Sequence, residues 1–85
     1  MFTMTKEIVF EKIRDILAET AEIEKEEIQP DSKMIYDIGL SSVELLSLLS
    51  TIEAEFSIRI PEKALRTFVT VQDVADYVAS EVKEA

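Results

Sequence analysis

Two adjacent serines, Ser41 and Ser42, stand between the chain's only glycine, Gly39, and a leucine-rich run, in the stretch YDIGLSSVELLSLL from Tyr36 to Leu49. A hydroxyl in the first turn of a helix faces unpaired backbone amides and the positive end of the helix dipole, and both favour a phosphate bound there. Ser42 is placed to carry a phosphodiester. The segment Ser41-Ser42-Val43-Glu44 also fits the S-x-x-E capping box, with Ser41 as N-cap and Ser42 as the first helical residue. The same pattern is therefore met by serines that only start a helix.

Little else in the chain could do chemistry. There is no histidine and no cysteine, which removes the commonest general base, the thiolate nucleophile, the usual zinc ligands and any disulfide. Glu26 and Glu27 are paired carboxylates, but without His, Cys or a Gly-rich loop beside them they read as a solvated charge run. A calcium loop opening at Asp31 would need oxygen ligands where Lys33 and Ile35 stand. No catalytic residue and no metal ligand is expected, and a reactive thiol would have to be imported.

Eighteen acidic residues against nine basic ones give a formal charge of −9, which repels phosphate backbones and anionic membranes and favours basic protein partners. The opening MFTMTKEIVF has no basic segment followed by a long apolar one, and no apolar run approaches the ~20 residues of a membrane span. A free-standing cytoplasmic monomer is expected, with neither nucleic acid nor membrane insertion. At 85 residues it is one domain with a single core.

The elements that must position Ser42 follow from periodicity. Ile8, Val9, Ile13, Ile16 and Leu17 recur between charged residues and predict helix 1 over about 5–19. Residues 20–40 lose that period and carry Pro30, Asp31, Ser32 and Gly39, so they read as a long loop pinned by Ile23, Ile28, Met34 and Ile35. Helix 2, about 42–56, carries Leu45, Leu48, Leu49, Ile52 and Phe56 on one side, while Val43 and Leu46 widen its apolar surface. In FSIRIPEKALRTF an isolated strand would have no partner, which favours an extended connector and a short helix 3 over about 61–67, opening at Pro61. Thr70 and Asp73 are spaced as a capping box for helix 4, about 71–83, with Val71, Val74, Ala75, Val78 and Val82 on one face. The fold class is all-α: a small four-helix bundle.

Three segments in this order carry a resemblance. DIGLSSV from Asp37, EAEFSIRIP from Glu53 to Pro61 and FVTVQDVADYV from Phe68 to Val78 are similar to motifs of the acyl carrier proteins of fatty acid and polyketide synthesis. The likeness spans nearly the whole chain. In that family a segment reading roughly Asp-Leu-Gly-x-Asp-Ser-Leu opens the second helix, and its serine carries 4′-phosphopantetheine, attached covalently from coenzyme A. Ser42 matches that serine, with Gly39, Leu40, Ser41 and Val43 flanking it. Gly39 would serve by a positive φ or by letting the loop approach the arm closely.

The resemblance implies a carrier that holds acyl groups as thioesters on the arm and presents them to separate enzymes. Its implied partners are a phosphopantetheinyl transferase and acyl-loading and acyl-processing enzymes. Leu45, Leu46, Leu49, Ile52, Ile60, Ala64 and Val71 are candidates both for the core and for a gap that shelters an acyl chain. Two positions depart from the pattern. Ser41 replaces the usual aspartate, keeping the cap but not the charge. The acidic partner face is thinned: Ser47 and Ala54 stand where acids are common, while Glu44, Glu53 and Glu55 remain and Arg59, Lys63 and Arg66 follow, a pattern that fits dedicated partners. Two other readings stay open: an aminoacyl or peptidyl carrier, although IGLSS lacks the Gly-Gly pair common there, and an unmodified adaptor that keeps the fold and only binds proteins.

Overall fold

Thr5 starts the first helix by accepting, through its side chain, the amide of Ile8 at 3.2 Å. The structure is a computed structural model that describes residues 5–82. The helices are α1 (Lys6–Ala21), α2 (Ser42–Phe56), α3 (Glu62–Leu65) and α4 (Val71–Glu81), with a single 3₁₀ turn at Lys25–Glu27. The sequence reading carries helix 4 on to residue 83, which lies outside the described residues. The fold is the all-α bundle that the sequence predicts, with its long α1–α2 loop and short third helix.

Each long helix contributes one stripe to the core, because residues three and four apart fall on one face. α1 buries Val9, Ile13 and Leu17, α2 buries Leu48, Leu49, Ile52 and Phe56, and α4 buries Val71, Val74, Ala75 and Val78. α1 packs against both α4 and α2. Burial of this kind supplies roughly 1.5–3 kcal/mol per fully buried aliphatic side chain, the main force holding so small a domain together.

The twenty residues between α1 and α2 are tied down rather than loose. Gln29-Pro30-Asp31-Ser32 is a tight turn in which Ser32 donates its amide to the Gln29 carbonyl at 3.0 Å and accepts the Gln29 amide on its hydroxyl at 2.9 Å. Those bonds satisfy Ser32, a buried polar side chain. Lys33 and Thr70 form an isolated antiparallel bridge, and the Met34 amide donates to the Val69 carbonyl at 3.0 Å. Ile28 and Met34 are fully buried as loop anchors and Ile23 is half-buried against the core. Ile35, the fourth expected anchor, is instead 46% exposed. Met34 is held inward by its backbone bonds to Val69 and Leu40, which leaves its neighbour outside, and Leu40 and Ile38 close the loop onto the core instead.

The segment leading to α3 is pinned to α4. Tyr77 donates its hydroxyl to the Arg59 carbonyl at 3.3 Å, and its ring meets Phe68 edge-on at 5.6 Å. Loss of hydration, reinforced by the charges of Glu81 and Glu53, holds that phenol above its ordinary pKa, so it stays a donor. Pro61 then fixes the start of α3, and its carbonyl accepts the Ala64 amide at 3.0 Å.

Candidate functional site

The first turn of α2 is built by a reciprocal cap. Ser41 Oγ accepts the Glu44 amide at 3.1 Å, and Glu44 Oε1 accepts the Ser41 amide at 2.9 Å, while the Ser41 carbonyl takes the first intrahelical bond, from Leu45, at 2.9 Å. Ser42 is left free by this arrangement. Its hydroxyl and its amide make no hydrogen bond among the described residues, nor does the Val43 amide, and residues 41–44 are all exposed. The site thus offers an unengaged hydroxyl beside two unpaired amides at the positive end of a fifteen-residue helix.

The start of α4 shows what a closed helix mouth looks like in the same protein. The Val71 amide donates to the Ser32 carbonyl at 3.0 Å, the Gln72 amide to the Pro30 carbonyl at 2.9 Å and the Asp73 amide to Thr70 Oγ1 at 3.1 Å. Asp73 accepts the amides of Val69 and Thr70 in return, and these bonds, that from Thr70 foremost, hold its carboxyl below the ordinary pKa. The loop therefore seals α4 and leaves α2 open.

Two residues before Ser41, Gly39 has φ +90°, and a Cβ there would meet nothing within 4 Å. Of the two uses for this glycine, the structure shows the conformational one. The turn it completes is held by the Leu40 amide on the Met34 carbonyl at 3.0 Å and by Asp37, whose carboxylate accepts the Lys33 amide at 2.8 Å. Leu40 is only 3% exposed, so it anchors the segment to the core and presents no side chain at the surface.

Along α2 from Ser42, a cleft of about 310 Å³ opens against the connector and α3, lined by Leu46, Leu49, Ser50, Glu53, Ile60 and Leu65. Of the residues expected to shelter an acyl chain, it brings together Leu46, Leu49 and Ile60. Leu45 and Ala64 are half-buried against the core, and Ile52 and Val71 are fully buried within it. Those last two do not line the cleft. Ser50, Glu53 and Leu65 were not among the expected lining residues, because which side of a helix with apolar residues on more than one face borders a cleft depends on where α3 settles.

On the outer face of α2, Glu44, Ser47, Thr51 and Glu55 are exposed at a spacing that places them in one stripe. Glu44 serves the cap as well, and Glu53 lies off this stripe, its Oε2 accepting the Ile60 amide at 2.7 Å. Arg59, Lys63 and Arg66 make no ion pair among the described residues, whereas Lys6, Arg14 and Lys25 pair with Asp76, Glu11 and Asp15. Also among the described residues, no cluster of three acidic side chains could hold a metal ion, and no helix is long and apolar enough to cross a membrane.

Comparison with known proteins bears on this arrangement. A family model described as a phosphopantetheine attachment site matches residues 11–78. The acyl carrier protein of Clostridium acetobutylicum is 34% identical over 77 residues, a match covering 91% of this chain and 100% of that relative.

Proposed function

We propose, given that this chain belongs to the acyl carrier protein family, that Ser42 is the residue on which its 4′-phosphopantetheine is carried. The observation supporting this is the contrast between the two serines: Ser41 is spent on the cap, while the Ser42 hydroxyl is exposed and unengaged beside the unpaired amides of Ser42 and Val43. A phosphodiester fits there, since the helix dipole and two free amides favour its charge and residues 41–44 are exposed. The group supplies, when bound, the thiol that this cysteine-free chain lacks, on which acyl groups are carried.

The chain's own residues do the remaining work. Gly39 and Leu40 hold the loop so that Ser42 projects outward. Leu46, Leu49, Ile60 and Leu65 offer a cleft to apolar cargo, worth ~0.8 kcal/mol for each methylene taken from water. Glu44, Ser47 and Glu55 form the face on which the transferase and acyl-processing enzymes dock, with Val43 and Leu46, 75% and 55% exposed, as apolar contacts beside it. The thinned acids, with Arg59, Lys63 and Arg66 in no ion pair among the described residues, favour dedicated partners in a specialised acyl pathway.

Peptide mapping tests the attachment point. Between Lys33 and Arg59 there is no lysine or arginine, so trypsin releases residues 34–59 as one peptide containing both serines. After incubation with coenzyme A and a broad-specificity phosphopantetheinyl transferase, fragmentation of that peptide should place the added mass on Ser42. Mass on Ser41, or on neither, would refute the assignment.

A further inference from the structure

The cleft beside α2 changes character along its length. Its upper wall is apolar, Leu46 and Leu49 facing Leu65. Next along the helix come Ser50 and Glu53, and both of these, with Ile60, also line an adjoining cleft of about 670 Å³ that continues past Ala54, Arg59 and Glu62. The polar pair stands where the two clefts join. At 1.5 Å of rise per residue, Ser50 and Glu53 lie about 6 and 10 Å beyond Leu46 along the helix axis.

Neither polar group is fully used by the protein. Ser50 Oγ makes no hydrogen bond among the described residues. Glu53 Oε2 accepts the Ile60 amide at 2.7 Å, which fixes the carboxylate in the cleft wall and leaves Oε1 without a partner among the described residues. A saturated chain pushed past Leu49 would strip water from a hydroxyl and a carboxylate oxygen and return no hydrogen bond. A chain bearing a hydroxyl or amine at that depth would pair with both.

Resting on the carrier reading above, we propose that the cargo is a functionalised acyl group: a short apolar segment lying against Leu46 and Leu49, followed by a hydrogen-bond donor that Ser50 and Glu53 recognise. Plain alkyl chains that reach past Leu49 are disfavoured. The two residues are specificity determinants and take no part in attachment at Ser42.

The test uses two matched probes, hexanoyl and 6-hydroxyhexanoyl, each delivered with its arm from the coenzyme A thioester by a broad-specificity transferase. Intact mass first establishes loading, and a chain that takes up neither arm refutes the carrier reading and this inference with it. With both loaded, the hydroxylated form should melt about 4–8 °C above the hexanoyl form, and the amide resonances of Ser50 and Glu53 should shift further with it. Ser50→Leu, at an exposed helix position, should abolish or reverse that order. Equal melting with equal shifts in the native chain would overturn the proposal, as would a preference that survives Ser50→Leu. Should Ser50→Leu fail to fold, the native-chain shifts decide.

Discussion

Ser41→Ala isolates the cap from the attachment point next to it. The substitution removes the hydroxyl that accepts the Glu44 amide at 3.1 Å but spares the return bond, in which Glu44 accepts the backbone amide of Ser41 at 2.9 Å. Half of the box survives, so the cost should be near the middle of the range for a lost N-cap, about 1 kcal/mol. For a domain of this size that lowers the melting temperature by roughly 4–8 °C. Ser41→Asp restores an equivalent cap acceptor and adds a negative charge at the positive end of α2, so it should melt at or above the native chain. Thermal unfolding followed by circular dichroism on the three proteins reads the whole series. An alanine variant as stable as the native chain, or an aspartate variant as unstable as the alanine one, would refute the reasoning, because either result would mean that the Ser41 oxygen does not hold the helix mouth.

Other outcomes follow from the same geometry. Gly39→Ala should cost about 1–2 kcal/mol in denaturant unfolding from its positive φ alone, since the added methyl meets nothing within 4 Å. Leu48→Ala, at a fully buried position, should cost about 2–5 kcal/mol by the same assay. The carboxyl of Asp73 has a folded pKa below its unfolded value, so its contribution is complete above pH ~4 and is lost as pH falls through the lowered folded value. Acid titrations should accordingly show the native chain's advantage over Asp73→Asn shrinking in that window and constant at higher pH. Glu55→Lys, at an exposed position, should leave the melting temperature unchanged while slowing transfer to a partner in a salt-dependent way; turnover indifferent to salt and charge would remove the docking face from the account.

The parts of the fold that local pattern controls are visible in the residues themselves. Thr5, Ser41 and Thr70 sit at helix starts with capping side chains, and the buried stripes of α1 and α4 recur at the helical period. Helix ends are less legible. α1 and α2 stop at Glu22 and Ser57, both in the left-handed region at φ 57° and 56°, where a glycine would have been the usual signal. Long-range features carry no local mark at all. The Lys33–Thr70 bridge and the Ser32 and Pro30 carbonyls that seal α4 join segments about forty residues apart. At the site, the serine pair and Gly39 stand out because special backbone positions demand special residues. The cleft does not, since Ile52 and Leu49 are alike in sequence and differ only in which neighbour covers them.

Intact mass decides whether Ser42, and not its neighbour, carries the arm. The native chain, Ser41→Ala and Ser42→Ala would each be incubated with coenzyme A and a broad-specificity phosphopantetheinyl transferase. The native and Ser41→Ala proteins should each gain one phosphopantetheine, and Ser42→Ala none. A gain that persists in Ser42→Ala, or no gain in the native chain with any of several transferases, would contradict the assignment to Ser42, the latter in favour of an adaptor that keeps the carrier fold without its arm.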